Sequence, residues 1–123
     1  MGRKVLYSQP LALPWRHVAF LWECMKQIKD VRPETLLPFD KGWIQPTGAE
    51  VRAMLAECDL TATAAAALVG VSDGRTVRKW ASFDPAEAER AKELGKKTNM
   101  QRIPFAAWAI LADRAGCGQI WKM

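Results

Sequence analysis

The sequence predicts an all-α protein, a compact bundle of about five to six helices. Two observations support this prediction. Apolar residues recur at steps of three and four in several stretches, which is the period of an amphipathic helix, and most of these stretches begin at a capping residue or end at glycine. Signals for β-strands are weak along the whole chain.

Length and composition favour a single folded domain. The chain has 123 residues, of which 50% are hydrophobic and 25% are charged. No stretch approaches the roughly 20 apolar residues that cross a bilayer, and the N-terminus does not look like a signal peptide, so we expect a cytoplasmic protein that does not enter membranes. The three cysteines are widely spaced, without a partner at ligand spacing, and we expect small buried residues rather than a disulfide or a metal site: Cys24, Cys58 and Cys117.

The N-terminal segment, residues 1–41, is predicted to hold an amphipathic helix over residues 15–30. Pro14 suits its first turn, and its apolar stripe consists of Trp15, Val18, Leu21, Trp22, Met25 and Ile28. Such a stripe either completes the core or forms an interface with a partner, and we favour the interface. Residues 31–46, which contain three prolines and a glycine, are predicted to connect this helix to a second part, residues 42–123.

Local capping signals predict the next two helices. Thr47 and Glu50 have the spacing of a capping box, and the helix that they begin places four residues on one face: Val51, Met54, Leu55 and Cys58. Either Thr61 or Thr63 then caps a short alanine-rich helix over residues 64–69, which ends at Gly70.

Three more helices are predicted by the same reasoning. One begins near residues 73–75 and carries Val77 and Trp80 on its inner side. Asp84 and Pro85 begin another, which runs to about Leu94. The last spans residues 104–115, and the apolar tail over residues 118–121 is expected to pack against the bundle.

Residues 60–80 have the features of a helix-turn-helix. Ala66 provides a small side chain where two helices cross, Gly70 tolerates the positive φ of the turn, and three apolar residues hold the pair against the core: Val71, Val77 and Trp80. The outward face of the second helix carries polar and basic residues: Arg75, Thr76, Arg78 and Lys79. Arginine at such a position can pair with guanine O6 and N7 in the major groove.

This segment resembles the phage-repressor (Xre-like) helix-turn-helix family. Its flanks, residues 42–48, 103–108 and 116–121, are similar to those of small regulators carried by phages, conjugative plasmids and integrated elements. The resemblance covers residues 42–121. It implies a compact bundle of about five helices whose third helix reads the major groove, commonly as a homodimer on a palindromic operator.

The expected DNA-binding residues form two groups. Base contacts are expected from the helix over residues 73–82, and because its spacing from Gly70 is one residue longer than in the family, the first contact is left open: Asp73, Gly74, Arg75, Thr76, Arg78 and Lys79. Phosphate contacts are expected from the helix-turn-helix and from the loop before the last helix: Thr63, Ser72, Lys96, Lys97, Asn99, Gln101 and Arg102. A plain polar loop is the alternative for residues 96–102.

The sequence therefore favours a sequence-specific double-stranded DNA-binding regulator of transcription, a repressor, over an enzyme. The net charge of +5 permits nucleic-acid binding without requiring it. No nucleophile has a partner, no phosphate-binding loop or metal spacing is present, and the single histidine, His17, has no group to orient it. We expect no cofactor and no small-molecule ligand. The alternative function is a protein-binding module of the antitoxin or inhibitor type on the same fold.

Overall fold

The computed structural model describes residues 28–122, and all regular structure in that range is helical. It contains five α-helices: α1 (Gly48–Cys58), α2 (Ala62–Val69), α3 (Gly74–Ala81), α4 (Pro85–Glu93) and α5 (Phe105–Arg114). Three 3-10 helices flank them, at Pro33–Leu36, Phe39–Lys41 and Ile120–Lys122. The all-α prediction is confirmed. The predicted helix over residues 15–30 lies outside the described residues except for residues 28–30, which are not helical.

Side-chain caps begin four of the five helices. At α1, Thr47 Oγ1 accepts from the Glu50 N–H at 3.3 Å and Glu50 Oε1 accepts from the Thr47 N–H at 2.9 Å, so the capping box is confirmed. At α2 the cap is Thr61, whose Oγ1 accepts from the Ala64 N–H at 3.1 Å, and not Thr63. Asp84 caps α4, as predicted, and Asp73, which was expected to contact bases, caps α3; their Oδ1 atoms accept from the Ala86 and Arg75 N–H groups.

The core is built around α5. Its residues Trp108 and Leu111 are fully buried and pack with α1, α2 and the C-terminal tail. The other fully buried apolar side chains include Val51, Met54, Val77, Ile103 and Ile120. Burial of Ile120 confirms that the tail packs against the bundle, whereas its neighbour Trp121 is 45% exposed.

Residues 28–36 also contribute to this core. Ile28, Val31 and Leu36 are buried in the same apolar cluster as α5. The backbone carbonyl of Thr35 accepts from Trp108 Nε1 at 2.7 Å, which satisfies the only polar atom of the most voluminous fully buried side chain. This part of the chain, which the sequence analysis assigned to the N-terminal segment, therefore covers one side of α5.

The carboxylate of Glu50 connects the N-terminal stretch to α1. Besides the Thr47 N–H, it accepts from three groups of Arg32: the backbone N–H at 2.9 Å, Nε at 2.7 Å and Nη2 at 2.8 Å. Burial alone would raise the pKa of Glu50, but the hydrogen bonds from Arg32 and Thr47 and the charge of Arg32 lower it below its ordinary value of 4.5. The folded structure therefore favours the ionised form of this carboxylate.

The start of α1 packs tightly on the end of α3. The Gly48 N–H donates to the Phe83 carbonyl at 2.6 Å, and Arg52 Nη1 donates to the carbonyl of Ala81. A Cβ atom at Gly48 would lie 2.5 Å from Ala81 O and 2.7 Å from Phe83 N, closer than real contacts allow. Glycine is therefore required at position 48 for space and not for its φ angle.

Stability should depend on the ionisation of Glu50. Because its pKa is lowered in the folded protein, its contribution is present above the unfolded value of about 4.5 and is lost as the pH falls through the folded value. We expect Glu50→Gln to lower the free energy of unfolding at pH 7 by about 1–3 kcal/mol, since it removes acceptors from Arg32 and Thr47. Urea titrations from pH 3 to pH 7 should show a weaker pH dependence in the variant. An equally steep dependence would show that other carboxyl groups cause it.

Substitution at Gly48 should separate α1 from α3. We expect Gly48→Ala to lower the free energy of unfolding by about 1–3 kcal/mol, because the new methyl group overlaps backbone atoms that cannot rotate away. Thermal unfolding followed by circular dichroism measures the change. Ala49→Ser, at the exposed next position, is the matched control and should change it by less than about 0.5 kcal/mol. Equal stability of Gly48→Ala and the control would refute the tight contact.

Candidate nucleic-acid interface

The turn between α2 and α3 forms as the sequence predicts. Gly70 ends α2 with a φ of +87°, and the backbone N–H groups of Gly70 and Val71 both donate to the Ala66 carbonyl, at 2.9 and 3.0 Å. Ala66 is buried, as expected for a small residue at a helix crossing. These contacts turn the chain so that α3 lies across α2.

The tightest contact of the crossing involves Gly74, the first residue of α3. A Cβ atom there would lie 3.0 Å from Thr63 N and 3.1 Å from Thr63 Oγ1, so α2 and α3 meet almost backbone to backbone. The sequence predicted a small residue at the crossing only at Ala66, and Gly74 was expected to contact bases. Gly74 is buried against α2. Gly74 thus serves the packing of α3 on α2. A glycine directly after a capping aspartate was the sequence signal that could have indicated this close approach.

The outer face of α3 carries a basic stripe, which we define as Arg75, Arg78 and Lys79. These residues are three and four positions apart and lie on one face, opposite the buried Val77 and Trp80. The two arginines line two depressions, one on each side of α3. The basic stripe is therefore a ridge with a recess along each flank.

The first recess lies between α2 and α3. It is lined by residues of both helices and of the turn, including Thr63, Ser72 and Asp73. The Asp73 carboxylate accepts from the Arg75 N–H at 3.0 Å as the cap of α3. Thr76, a further expected base contact, is half-buried and does not line either recess.

The second recess joins α3 to the loop before α5. It is lined by the basic stripe together with Ser82 and Asn99. The loop is attached to α3 because the Gln101 N–H donates to the Lys79 carbonyl at 3.2 Å. The structure thus brings Asn99, from a part of the chain 20 positions after Lys79, to the same surface as the basic stripe.

The remaining expected phosphate contacts have different surroundings. Lys96 and Lys97 are exposed, whereas the guanidinium of Arg102 lies 5.5 Å above the Phe83 ring. The ion pairs between side chains of residues 28–122 are Arg32 with Glu50 and Arg90 with Glu87, so the cations of the basic stripe are not neutralised by an acidic partner. The surface they form attracts anions.

Other expectations concern the tryptophans, cysteines and metal ligands. Trp80 is buried, as predicted, Trp108 is fully buried in α5, and Trp43 packs against Phe39 and Phe105 at ring distances of 5.8 and 5.2 Å. Cys117 is buried and Cys58 is half-buried, with its Sγ 3.4 Å from the Leu111 carbonyl. Trp15, Trp22, Cys24 and His17 lie outside the described residues. Between residues 28 and 122, no group of three potential metal ligands comes together.

No helix between residues 28 and 122 has the length and hydropathy to cross a bilayer.

The fold and the site together define a class, that of small helix-turn-helix proteins with a basic outer face on the second helix of the motif. Two proteins of Escherichia coli, both named transcriptional repressor protein KorC, are 41% and 38% identical to this chain. Each alignment has 95 residues and covers 76% of this chain and 92% of the relative. The chain therefore belongs to the KorC family of transcriptional repressor proteins. No protein-family model and no solved structure matches it.

The relatives bear on the function class predicted from the sequence. The expected class, repressors of transcription, is the one that the relatives' names give. The narrower resemblance to Xre-like phage repressors stays a prediction.

Proposed function

We propose that this protein represses transcription by binding a specific double-stranded DNA operator, with α3 in the major groove. The observation that carries the proposal is the basic stripe, three unneutralised cations on the exposed face of a helix that Gly74, Val77 and Trp80 fix to the core. The names of the two relatives support the repressor role.

Within the proposed complex, the ridge reads bases. Arg75 and Arg78 project from α3 between two recesses, and a guanidinium group can donate two parallel hydrogen bonds to guanine O6 and N7. Lys79 lies on the same face and adds a single-point donor. Asp73 and Thr76 are at the margin of this surface, and the buried Gly74 takes no part in the proposed contact.

The proposed phosphate contacts flank the ridge. Thr63 and Ser72 line the recess on one side and Asn99 lines the recess on the other, so the two DNA strands that border the major groove would each meet polar groups. The exposed side chains of Lys96, Lys97, Gln101 and Arg102 continue the second side. These contacts would provide affinity and orientation without sequence information.

We further propose that the repressor acts as a homodimer. One helix-turn-helix reads only a few base pairs, and a two-fold axis places two recognition helices about 34 Å apart, one turn of DNA. The proposed interface is the part of the helix predicted over residues 15–30 that precedes Ile28, because its apolar residues, among them Trp15, Trp22 and Met25, have no assigned role, whereas Ile28 is buried in the core. A second candidate interface is the last helix with its tail, through Ile120 and Trp121; it offers less apolar surface, since Ile120 is buried within its own bundle.

Substitutions in the basic stripe should distinguish the contribution of hydrogen bonds to bases from the contribution of positive charge to DNA binding. We expect Arg75→Ala and Lys79→Ala each to weaken binding to the operator by about 1–3 kcal/mol and to relax base preference at one position. Arg75→Lys keeps the charge but cannot form the paired hydrogen bonds, so it should retain the salt dependence and lose the preference. Fluorescence titrations measure both, and Arg114→Ala, exposed at the end of α5, is the control. Wild-type binding by both alanine variants would show that α3 does not read the operator.

Truncation should test the dimer. We expect the full chain to sediment as a dimer at tens of micromolar and a chain that begins at Ile28 to sediment as a monomer, because the proposed interface is then removed. Ile28 is the right starting point since Ile28, Val31 and Arg32 take part in the core and in the Glu50 junction. Retained dimerisation of the truncated chain would place the interface elsewhere. A full-length monomer that stays monomeric with operator present would refute the dimer.

A further inference from the structure

The chain leaves the bundle after α3 and returns before α5, and we define residues 84–100 as the excursion. Three contacts close its base. The Lys79 carbonyl accepts from the Gln101 N–H at 3.2 Å, Met100 Sδ accepts from the Asp84 N–H at 3.4 Å, and the Arg102 guanidinium lies 5.5 Å above the Phe83 ring. The two ends of the excursion are thus held together beside the end of α3.

Helix α4 carries the chain away from this base. It has nine residues and therefore a length of about 13 Å, and none of its residues is buried. At its far end, the backbone N–H groups of Gly95 and Lys96 donate to the carbonyls of Lys92 and Ala91, at 3.1 and 2.8 Å. Lys96 is therefore fixed at the tip of the excursion. The chain then returns through residues 96–100, which we call the return strand although they form no β-strand. The four residue-to-residue steps from Lys96 to Met100 span at most about 14 Å, just enough to reach the base.

Charge is divided between the two arms of the excursion. All four of its acidic residues lie on the outgoing arm: Asp84, Glu87, Glu89 and Glu93. The tip and the return strand, residues 94–100, contain Lys96 and Lys97 and no acid. Asn99, on the return strand, lines the same recess as the basic stripe of α3. The basic arm is therefore the one continuous with the proposed DNA-binding surface.

We propose that the tip of the excursion, Lys96 with Lys97, binds phosphates of the duplex outside the major-groove segment that α3 reads. This inference rests on the proposed function. Were α4 to lie along the duplex, its length of about 13 Å would correspond to roughly four base pairs at 3.4 Å each. The contact is independent of sequence because lysine reaches the phosphate as a point charge. The operator thus needs a stretch of flanking duplex of any sequence, on the side where α3 ends.

Duplex length gives the test. Sites selected by the wild-type protein from a random library are prepared with flanks that end at the recognised segment and with flanks extended by six to eight base pairs. We expect the wild type to bind the extended duplex at least threefold more tightly. Lys96→Ala combined with Lys97→Ala should bind both lengths equally, with unchanged base preference. On the extended duplex, the slope of log affinity against log salt should fall by about 2 in this variant.

A matched variant controls for net charge. Lys41→Ala combined with Lys122→Ala removes two exposed lysines from the 3-10 helices at Phe39–Lys41 and Ile120–Lys122, and it should keep the gain from the longer flanks. The inference is overturned if the wild type gains nothing from longer flanks, if the tip variant gains as much as the wild type, or if the control loses the gain as well. Sequence-selective binding of the short duplex with any of these results leaves the proposed function intact. If the wild type selects no sequence from the library, the proposed function fails instead.

Discussion

The hydrogen bonds to the Glu50 carboxylate link the parts of the structure that pack separately. The carboxylate completes the cap of α1 through Thr47 and accepts three hydrogen bonds from Arg32, which holds residues 28–36 over α5. These donors stabilise the ionised group, because a buried acceptor without a hydrogen-bond partner costs free energy. The orientation of α1 is therefore determined by an interaction with a stretch of chain 18 residues earlier in the sequence.

The position of α1 in turn supports the basic stripe. Gly48, at the start of α1, meets the backbone at the end of α3, while Gly74, at the start of α3, meets the backbone at the start of α2. Two glycines thus hold the two ends of α3 against its neighbours, and Val77 and Trp80 bury the side between them. A recognition helix gains from such fixation because side chains that read base edges must be held to a fraction of an ångström. The cations of the basic stripe are not part of the core and remain available for the proposed contacts with DNA.

The segment between α3 and α5 contributes little to the core, although its two ends are held together. Helix α4 buries none of its residues, so it adds little to the free energy of unfolding. The chain nevertheless closes the base of this segment with backbone and side-chain contacts and leaves residues 94–100, which contain Lys96 and Lys97, without an acid. This arrangement agrees with the proposed contact between the tip and DNA. The relatives at 38–41% identity place the chain in a repressor family, and the DNA contacts proposed for α3 and the excursion would give that role a physical basis.

The sequence by itself determined the helices and the helix-turn-helix, because their signals act within four residues: the capping box at Thr47, the aspartates at positions 73 and 84, and the glycine after α2. Tertiary structure alone decided which of two threonines caps α2, that Gly74 packs against α2, and that Asn99 joins the surface of α3. It also decided that Arg32 pairs with Glu50. The contacts of Asn99 and Arg32 join atoms far apart in the sequence, which come together only when the core around Trp108 has formed, so no local pattern encodes them. Local signals did exist at Thr61, Thr63 and Gly74, but each allowed more than one role, and only the folded structure shows which one is used.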